Sequence, residues 1–301
     1  MDRRAFAQAG VAALAAGRLG LMGQSQSLER AAIPSSGETI PRIGLGTWQT
    51  FDVGADAARR ADLAEVLRRF TAAGASVVDS SPMYGSSESV VGDLVQAAGL
   101  RDRLFVATKV WTTGREAGIA QMTESARRLR AERIDLMQIH NLVDWETHLR
   151  TLRDWKAAGR IRYLGITHYQ AAALPRVEAI LRAEAIDFVQ INLSVEEPEA
   201  AARLLPLAAD RGVAVIANRP FGGGAALRSV RDRPLPDWAA EYDVGSWAQL
   251  LLKWVLSHEA VTCAIPGTGN PRHLDDNLAA ARGRRVDAAG RGRIERLWQS
   301  L

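Results

Sequence analysis

The chain has 301 residues, 47% of them hydrophobic, enough to bury a sizeable core. Its net charge of +4 comes mainly from arginines scattered among acids, a solvated surface that speaks against nucleic acid as a partner. A single cysteine, Cys263 in the apolar run "AVTCAIP", rules out an intramolecular disulfide and a thiolate zinc site, and reads as a small core residue.

The N-terminal stretch "MDRRAFAQAGVAALAAGRLGLMG" sets Arg3 and Arg4 ahead of small apolar residues, with the polar "QSQSLERAAIPSSG" after them. That order predicts a twin-arginine export signal over residues 1–37 and a periplasmic location. The alternative is a frayed basic tail on a cytoplasmic enzyme. The stretch is too short and too weakly apolar to span a membrane, and no later segment qualifies.

One domain is expected over 38–301. Short β-rich runs recur at 42–48, 76–81, 104–110, 134–140, 163–168, 188–194, 213–221 and 261–268. Most are nearly continuously apolar, as strands covered on both faces are, and their spacing is that of βαβ crossovers. Helical periodicity fills the intervals. Leu63, Val66, Leu67 and Phe70 sit at i, i+3, i+4, i+7, and Trp247, Leu250, Leu251, Trp254 and Val255 repeat the stripe. Gly159 reads as a helix C-cap. Pro271 opens a helix expected to close at Gly283, and a tail helix is expected over 287–300.

Strands alternating with helices predict a closed (β/α)8 TIM barrel, which commonly uses about 250 residues as one domain. An open doubly wound sheet is the alternative. Its glycine-rich phosphate turn is poorly matched by "GLGTWQT", which lacks the third glycine. The interval between strands seven and eight is the longest and is rich in Gly, Pro and charge, the mark of a functional loop.

Barrel active sites form at the C-terminal ends of the strands. Strand two brings Asp79 there, with Tyr84 in the loop beyond; strand three brings Lys109 and strand four His140. Alone, each has a plainer reading as turn former, turn aromatic, snorkelling lysine or core histidine. Together they make chemistry. Asp79 keeps the Lys109 ammonium charged, the ammonium is expected to lower the pKa of the Tyr84 phenol, and His140 orients a carbonyl oxygen. A metal held by Asp79 and His140 is the weaker alternative, because Lys109 would repel a cation. His148 and His258 read as surface residues. Trp48 and Trp111, just past strand ends, are expected either to wall a substrate pocket or to pack at the rim.

Several segments together resemble the aldo/keto reductase family, in order across most of the domain. They are "GLGTW" (44–48), Asp79 with the "SPMYGSSE" (81–88) that follows it, "ATKVW" (107–111) and "DLMQIHN" (135–141). After these come "LGITHY" (164–169), "VQINLS" (189–194) and "IPGTGNPRHLDDN" (265–277). The resemblance implies that Asp79, Tyr84, Lys109 and His140 are a catalytic tetrad. It further implies that a monomer reduces a small aldehyde or ketone with NADPH, NADH being the alternative.

It places the nicotinamide carboxamide on Thr167, His168 and Gln190, although many members have Ser-Asn where this chain has Thr167-His168. In "NRPFGGG" (218–224), Asn218 stands where many relatives have a stacking tyrosine, leaving the guanidinium of Arg219, followed by Pro220, Phe221 and Gly222, to cover the ring. Gly267 and Thr268 lead into a helix whose N-terminus suits a phosphate. Gly267 replaces a lysine common in NADPH-specific relatives, so Arg272 or His273 is left to meet the 2′-phosphate, with Asp276 and Asn277 near the adenine. The rival is a barrel that keeps the cofactor but serves as a sensor or partner subunit with little turnover.

Overall fold

The computed structural model describes residues 27–301. Arg3, Arg4 and the apolar stretch of the expected export signal therefore lie outside the described residues. An antiparallel hairpin comes first, β1 (Arg30–Ala32) pairing with β2 (Thr39–Pro41). Ile33 and Ile40 insert among Val77, Phe105, Leu136, Phe188 and Ile216, inward-facing residues near the start of the barrel strands. The hairpin thus corks the N-terminal end of the barrel, and each buried isoleucine contributes about 1.5–3 kcal/mol.

The tip is tied down as well. Tyr163 donates its hydroxyl to Glu38 at 2.6 Å, and Arg162 ion-pairs with Glu38 and, at 2.9 Å, with Asp135. The boundary expected between residues 37 and 38 falls in the turn of this hairpin, between β1 and β2. Strands of three residues carry too little alternation to be read from sequence.

Eight parallel strands follow: β3 (Leu45–Gly46), β4 (Val77–Asp79), β5 (Phe105–Val110), β6 (Ile134–His140), β7 (Ile161–His168), β8 (Phe188–Asn192), β9 (Ala214–Asn218) and β10 (Val261–Ala264). They pair in chain order, and isolated parallel bridges Ile43–Ala264 and Gly46–Gly267 join first to last. Backbone bonds Gly44 N to Ala264 O (2.8 Å) and Gly46 N to Pro266 O (3.1 Å) close the seam. Gly44 and Gly46 are needed there, since a Cβ would lie 2.9 Å from Val77 O at one and 2.9 Å from Ile265 O at the other. The closed barrel replaces the open-sheet alternative.

Regular pairing is shorter than the apolar runs at 42–48, 213–221 and 261–268.

Ten α-helices occur among the described residues: α1 (Ala57–Ala72), α2 (Ser87–Ala97), α3 (Arg115–Arg128), α4 (Trp145–Ala157), α5 (Leu174–Ala183), α6 (Ala200–Asp210), α7 (Ala225–Ser229), α8 (Trp247–Leu256), α9 (Pro271–Ala279) and α10 (Ala288–Gln299). The stripe Leu63, Val66, Leu67 and Phe70 on α1 is fully buried, as its period requires. On α8, Leu250, Leu251, Trp254 and Val255 are buried and Trp247 is half-buried. Asp56 caps α1 by accepting Arg59 N at 3.0 Å. Asn270 caps α9 by accepting Arg272 N at 2.9 Å, with Pro271 at the first helical position. α9 ends at Ala279, short of Gly283.

Cys263 is buried and free, and burial pushes its thiol up. No helix among the described residues is long and apolar enough to cross a membrane.

Candidate active site

Asp79 and His140 are the last residues of β4 and β6, and Lys109 lies near the end of β5. The lysine is fully buried, with Nζ donating to Asp79 Oδ2 at 2.6 Å and to Ser80 O at 2.7 Å. The other carboxylate oxygen, Asp79 Oδ1, accepts Gln138 Nε2 at 3.0 Å and Gln190 Nε2 at 2.8 Å. A buried pair persists when its remaining valences are satisfied in this way. Gln138 is two residues before His140 on the same strand, so period-2 alternation puts both inside the barrel. That spacing was the available signal for a residue the motif reading missed.

Tyr84 lies in the turn after β4, its N–H on Ser81 O at 3.0 Å. Lys109 Nζ is 4.9 Å from the centroid of its ring, and the Tyr84 and His140 rings meet edge to face at 5.9 Å. The turn depends on Gly85, at φ +58°, where a Cβ would sit 2.4 Å from Asp52 Oδ2. Asp52 Oδ1 accepts Ser86 N at 2.8 Å and Ser86 Oγ at 2.7 Å, pinning the turn to the loop after β3. Those bonds hold the Asp52 carboxyl below its ordinary value. Ser86 occupies the N-cap of α2, but its hydroxyl serves Asp52 instead of the helix, contrary to the capping role its position suggests. Glu88, in the first turn of that helix, is buried, and accepts hydrogen bonds from Thr108 (2.6 Å) and Ser125 (3.1 Å).

The electrostatics correct one expectation. Desolvation pushes the Tyr84 phenol above its ordinary value; Lys109 pulls it down, but less. The tyrosine is therefore a phenol at neutral pH. Burial alone would lower Lys109, yet Asp79 and Tyr84 hold its ammonium above the usual lysine value. Burial, with Lys109 nearby, pushes His140 down to about 2, so its imidazole is neutral. Its Nδ1 lies 3.0 Å from Ser81 Oγ, and that oxygen accepts Met83 N at 3.4 Å. When the Ser81 hydroxyl donates to Nδ1, Nε2 is left as the N–H donor.

A cavity of about 860 Å³ opens above this set. Asp79, Tyr84 and His140 line it, as do Trp48, Trp111, Thr167, Gln190, Arg219, Pro220, Phe221, Gly267, Thr268, His273, Asp276 and Asn277. Lys109 lies sealed beneath. Three expected residues are not brought in. His168 turns away to stack on Tyr169 (5.8 Å, 12°), its Nδ1 accepting Gln170 N, and Tyr169 lines the cavity in its place. Arg272 is exposed on α9, and Gly222 lies behind Gly223 and Gly224, which do reach the wall. Asp276 is engaged by Ser246 Oγ (2.7 Å) and Gln249 Nε2 (2.6 Å) of the α8 start. Asn141, missed from sequence, lines the cavity, and the buried Oδ1 atoms of Asn141 and Asn218 have no partner.

Two other histidines also depart from expectation. His148 is fully buried, donating Nε2–H to Thr112 O at 2.7 Å, and His258 is half-buried edge to face with Trp254 at 4.8 Å. No cluster of three or more His, Cys, Asp or Glu among the described residues is placed to hold a metal ion.

A closed (β/α)8 barrel whose mouth gathers a neutral phenol, a neutral imidazole and a sealed ammonium–carboxylate pair is built for acid–base chemistry on a polar small molecule. Its kin are specific. The model of the Aldo/keto reductase family matches residues 42–299, and the chain belongs to that family. It is 27% identical over 261 residues to the methylglyoxal reductase YeaE of Escherichia coli, covering 84% of this chain and 89% of the relative. An uncharacterized oxidoreductase of Mycobacterium tuberculosis is 30% identical over 281 residues, covering 80% and 84%. Among solved structures, an aldo/keto reductase from Klebsiella pneumoniae in complex with NADP and acetate superposes with a TM-score of 0.75. It is 26% identical, over 87% of this chain and 93% of that one.

Proposed function

We propose that this chain is an NADPH-dependent carbonyl reductase, active as a monomer, with Tyr84 as proton donor. The observation that carries the reading is the Tyr84 ring 4.9 Å from Lys109 Nζ, beside the buried Lys109–Asp79 pair. The cavity fits the cofactor. The orphaned amide oxygen of Asn218, beside Thr167 and Gln190, needs an N–H donor such as a carboxamide. Gly267 and Thr268 at the approach to α9 suit a phosphate. NADPH, when bound, supplies a hydride to the carbonyl carbon.

The chain's own residues do the rest. His140 Nε2–H holds the carbonyl oxygen, and its neutrality leaves it a donor without competing for the proton. Tyr84 gives its hydroxyl proton to that oxygen as negative charge builds there, yielding the alcohol. Lys109, fixed by Asp79, stabilises the phenolate that remains. Gln138 and Gln190 keep Asp79 in place. We also propose that Arg3 and Arg4 direct export.

The test is Tyr84→Phe. Reduction of a small aldehyde should fall by about 10²–10⁴-fold, with NADPH affinity, read by fluorescence titration, close to wild type. A variant that keeps most of its rate removes Tyr84 as donor. Tight NADPH binding with no turnover of any aldehyde or ketone by the wild type would instead make the chain a sensor.

A further inference from the structure

Four large hydrophobic residues of the described chain are notably exposed besides the C-terminal Leu301: Trp48, Met83, Trp111 and Tyr169. All four line the one cavity above Tyr84 and His140. Exposed apolar surface gathered in one place marks a binding site, and three aromatic walls suit a flat apolar body. In the midst of them is a charge. Among the described residues, Arg219 is the one Arg or Lys lining the cavity.

Its position follows from the barrel order. Trp48 follows β3 and Tyr169 follows β7, the first and fifth of eight strands, so they face each other across the mouth. Arg219 is the first residue after β9, and its guanidinium carbon is 6.0 Å from the Trp48 ring and 5.9 Å from the Tyr169 ring. A group that near both walls lies over the middle of the opening. The backbone at Arg219 has φ +49°, a conformation that costs a non-glycine residue free energy, and one that persists at binding sites.

The guanidinium makes no hydrogen bond among the described residues. Its one ion pair is Nε to Glu197 Oε2 at 4.0 Å, beyond hydrogen-bonding reach, and Nε itself is buried without a partner. Gly223 leaves the terminal nitrogens room, since a Cβ there would come within 3.0 Å of Nη2. A planar fork of free donors matches a carboxylate bidentately.

We propose that Arg219 sets the substrate class of this site, anchoring a carboxylate carried by an aromatic aldehyde or ketone whose carbonyl reaches Tyr84 and His140. The proposal rests on the reductase reading, and it separates this mouth from one made for small neutral dicarbonyls. Lys109 cannot play the part, being sealed below and committed to Asp79 and Ser80.

The experiment compares 4-carboxybenzaldehyde with its neutral methyl ester, methyl 4-formylbenzoate, which has the same ring and the same aldehyde. The acid-to-ester ratio of kcat/KM should fall about 10- to 100-fold in Arg219→Gln, mainly through KM of the acid, with part recovered in Arg219→Lys. Glu197→Gln, which removes the competing carboxylate, should lower KM for the acid. NADPH affinity is measured on each variant. An unchanged ratio in Arg219→Gln overturns the proposal, and a weakened NADPH affinity with that unchanged ratio reassigns the arginine to the cofactor. Terephthalate binding, followed by tryptophan fluorescence, carries the test without turnover. Binding lost in Arg219→Gln supports the anchor even if neither aldehyde is reduced, in which case the reductase reading alone fails. Equal binding by wild type and variant overturns it.

Discussion

Removing one partner of the Asp79–Lys109 pair tests whether the centre of this site is as dry and as tightly balanced as its geometry indicates. At the 2.6 Å separation the attraction is about 6 kcal/mol with an effective dielectric of about 20, and desolvating each ion costs several kcal/mol in return. The net worth of the pair is therefore small, but the loss of one member is not. In Asp79→Ala the lysine side chain, 0% exposed, loses its charge partner and keeps only the neutral acceptors Ser80 O and the Tyr84 hydroxyl. It escapes by shedding its proton, which from an ordinary value of about 10.4 costs about 4.6 kcal/mol at pH 7 and sets a ceiling on the damage.

Urea unfolding followed by tryptophan fluorescence should show Asp79→Ala destabilised by about 3–5 kcal/mol at pH 7. The sign of the pH dependence follows from the raised pKa of Lys109 in the wild type. Its stabilisation is complete below the ordinary lysine value and is lost only as pH rises through the raised folded value. The wild type thus keeps it at pH 9, while the ceiling on the variant's penalty falls to about 2 kcal/mol because neutral lysine is then cheaper to form. Asp79→Leu with Lys109→Met should regain most of the stability and none of the activity. A loss under about 1 kcal/mol for Asp79→Ala at pH 7, or a double variant no better than the single, would refute a dry and mutually dependent pair.

Three further outcomes follow. Gly85→Ala drives a methyl into the Asp52 carboxylate at a left-handed backbone position, so kcat should fall about 10- to 100-fold as Tyr84 shifts, at a stability cost of about 1–3 kcal/mol. An unchanged kcat would mean that the Asp52–Ser86 clamp does not position the phenol. His258 is pushed down to about 4 by burial beside Trp254, with Arg291 adding to the effect. Its contribution is present above the ordinary histidine value and is lost as pH falls toward 4. The wild type should lose about 2–3 kcal/mol more than His258→Gln between pH 7 and pH 4.5, read from urea midpoints. Cell fractionation should find the intact chain in the periplasm and the Arg3→Lys, Arg4→Lys variant in the cytoplasm; the same distribution for both argues against export.

Much of the fold was legible because each strand buried on both faces must be apolar almost throughout, and each helix must show its stripe. Leu63 to Phe70 and Leu250 to Val255 needed no tertiary information to be placed inside. The β1–β2 hairpin was not legible, since three-residue strands show no period and Ile33 and Ile40 matter only where the barrel's open end receives them. His148 was misread for the same reason. Its burial depends on Thr112, distant in sequence and near only in the fold.

By itself the sequence determined which reactive groups stand at the strand ends, because βα spacing and apolar runs settle where a strand stops, and Asp79, Lys109 and His140 fall there. Their states were decided only by the closed barrel. Whether Tyr84 is phenol or phenolate depends on the balance between desolvation and Lys109, which the residue types leave open, and desolvation wins. The same closure turned His168 out of the cavity and brought Tyr169 and Asn141 into it. Those placements depend on side-chain direction and on contacts across the mouth, which no local pattern of residues encodes.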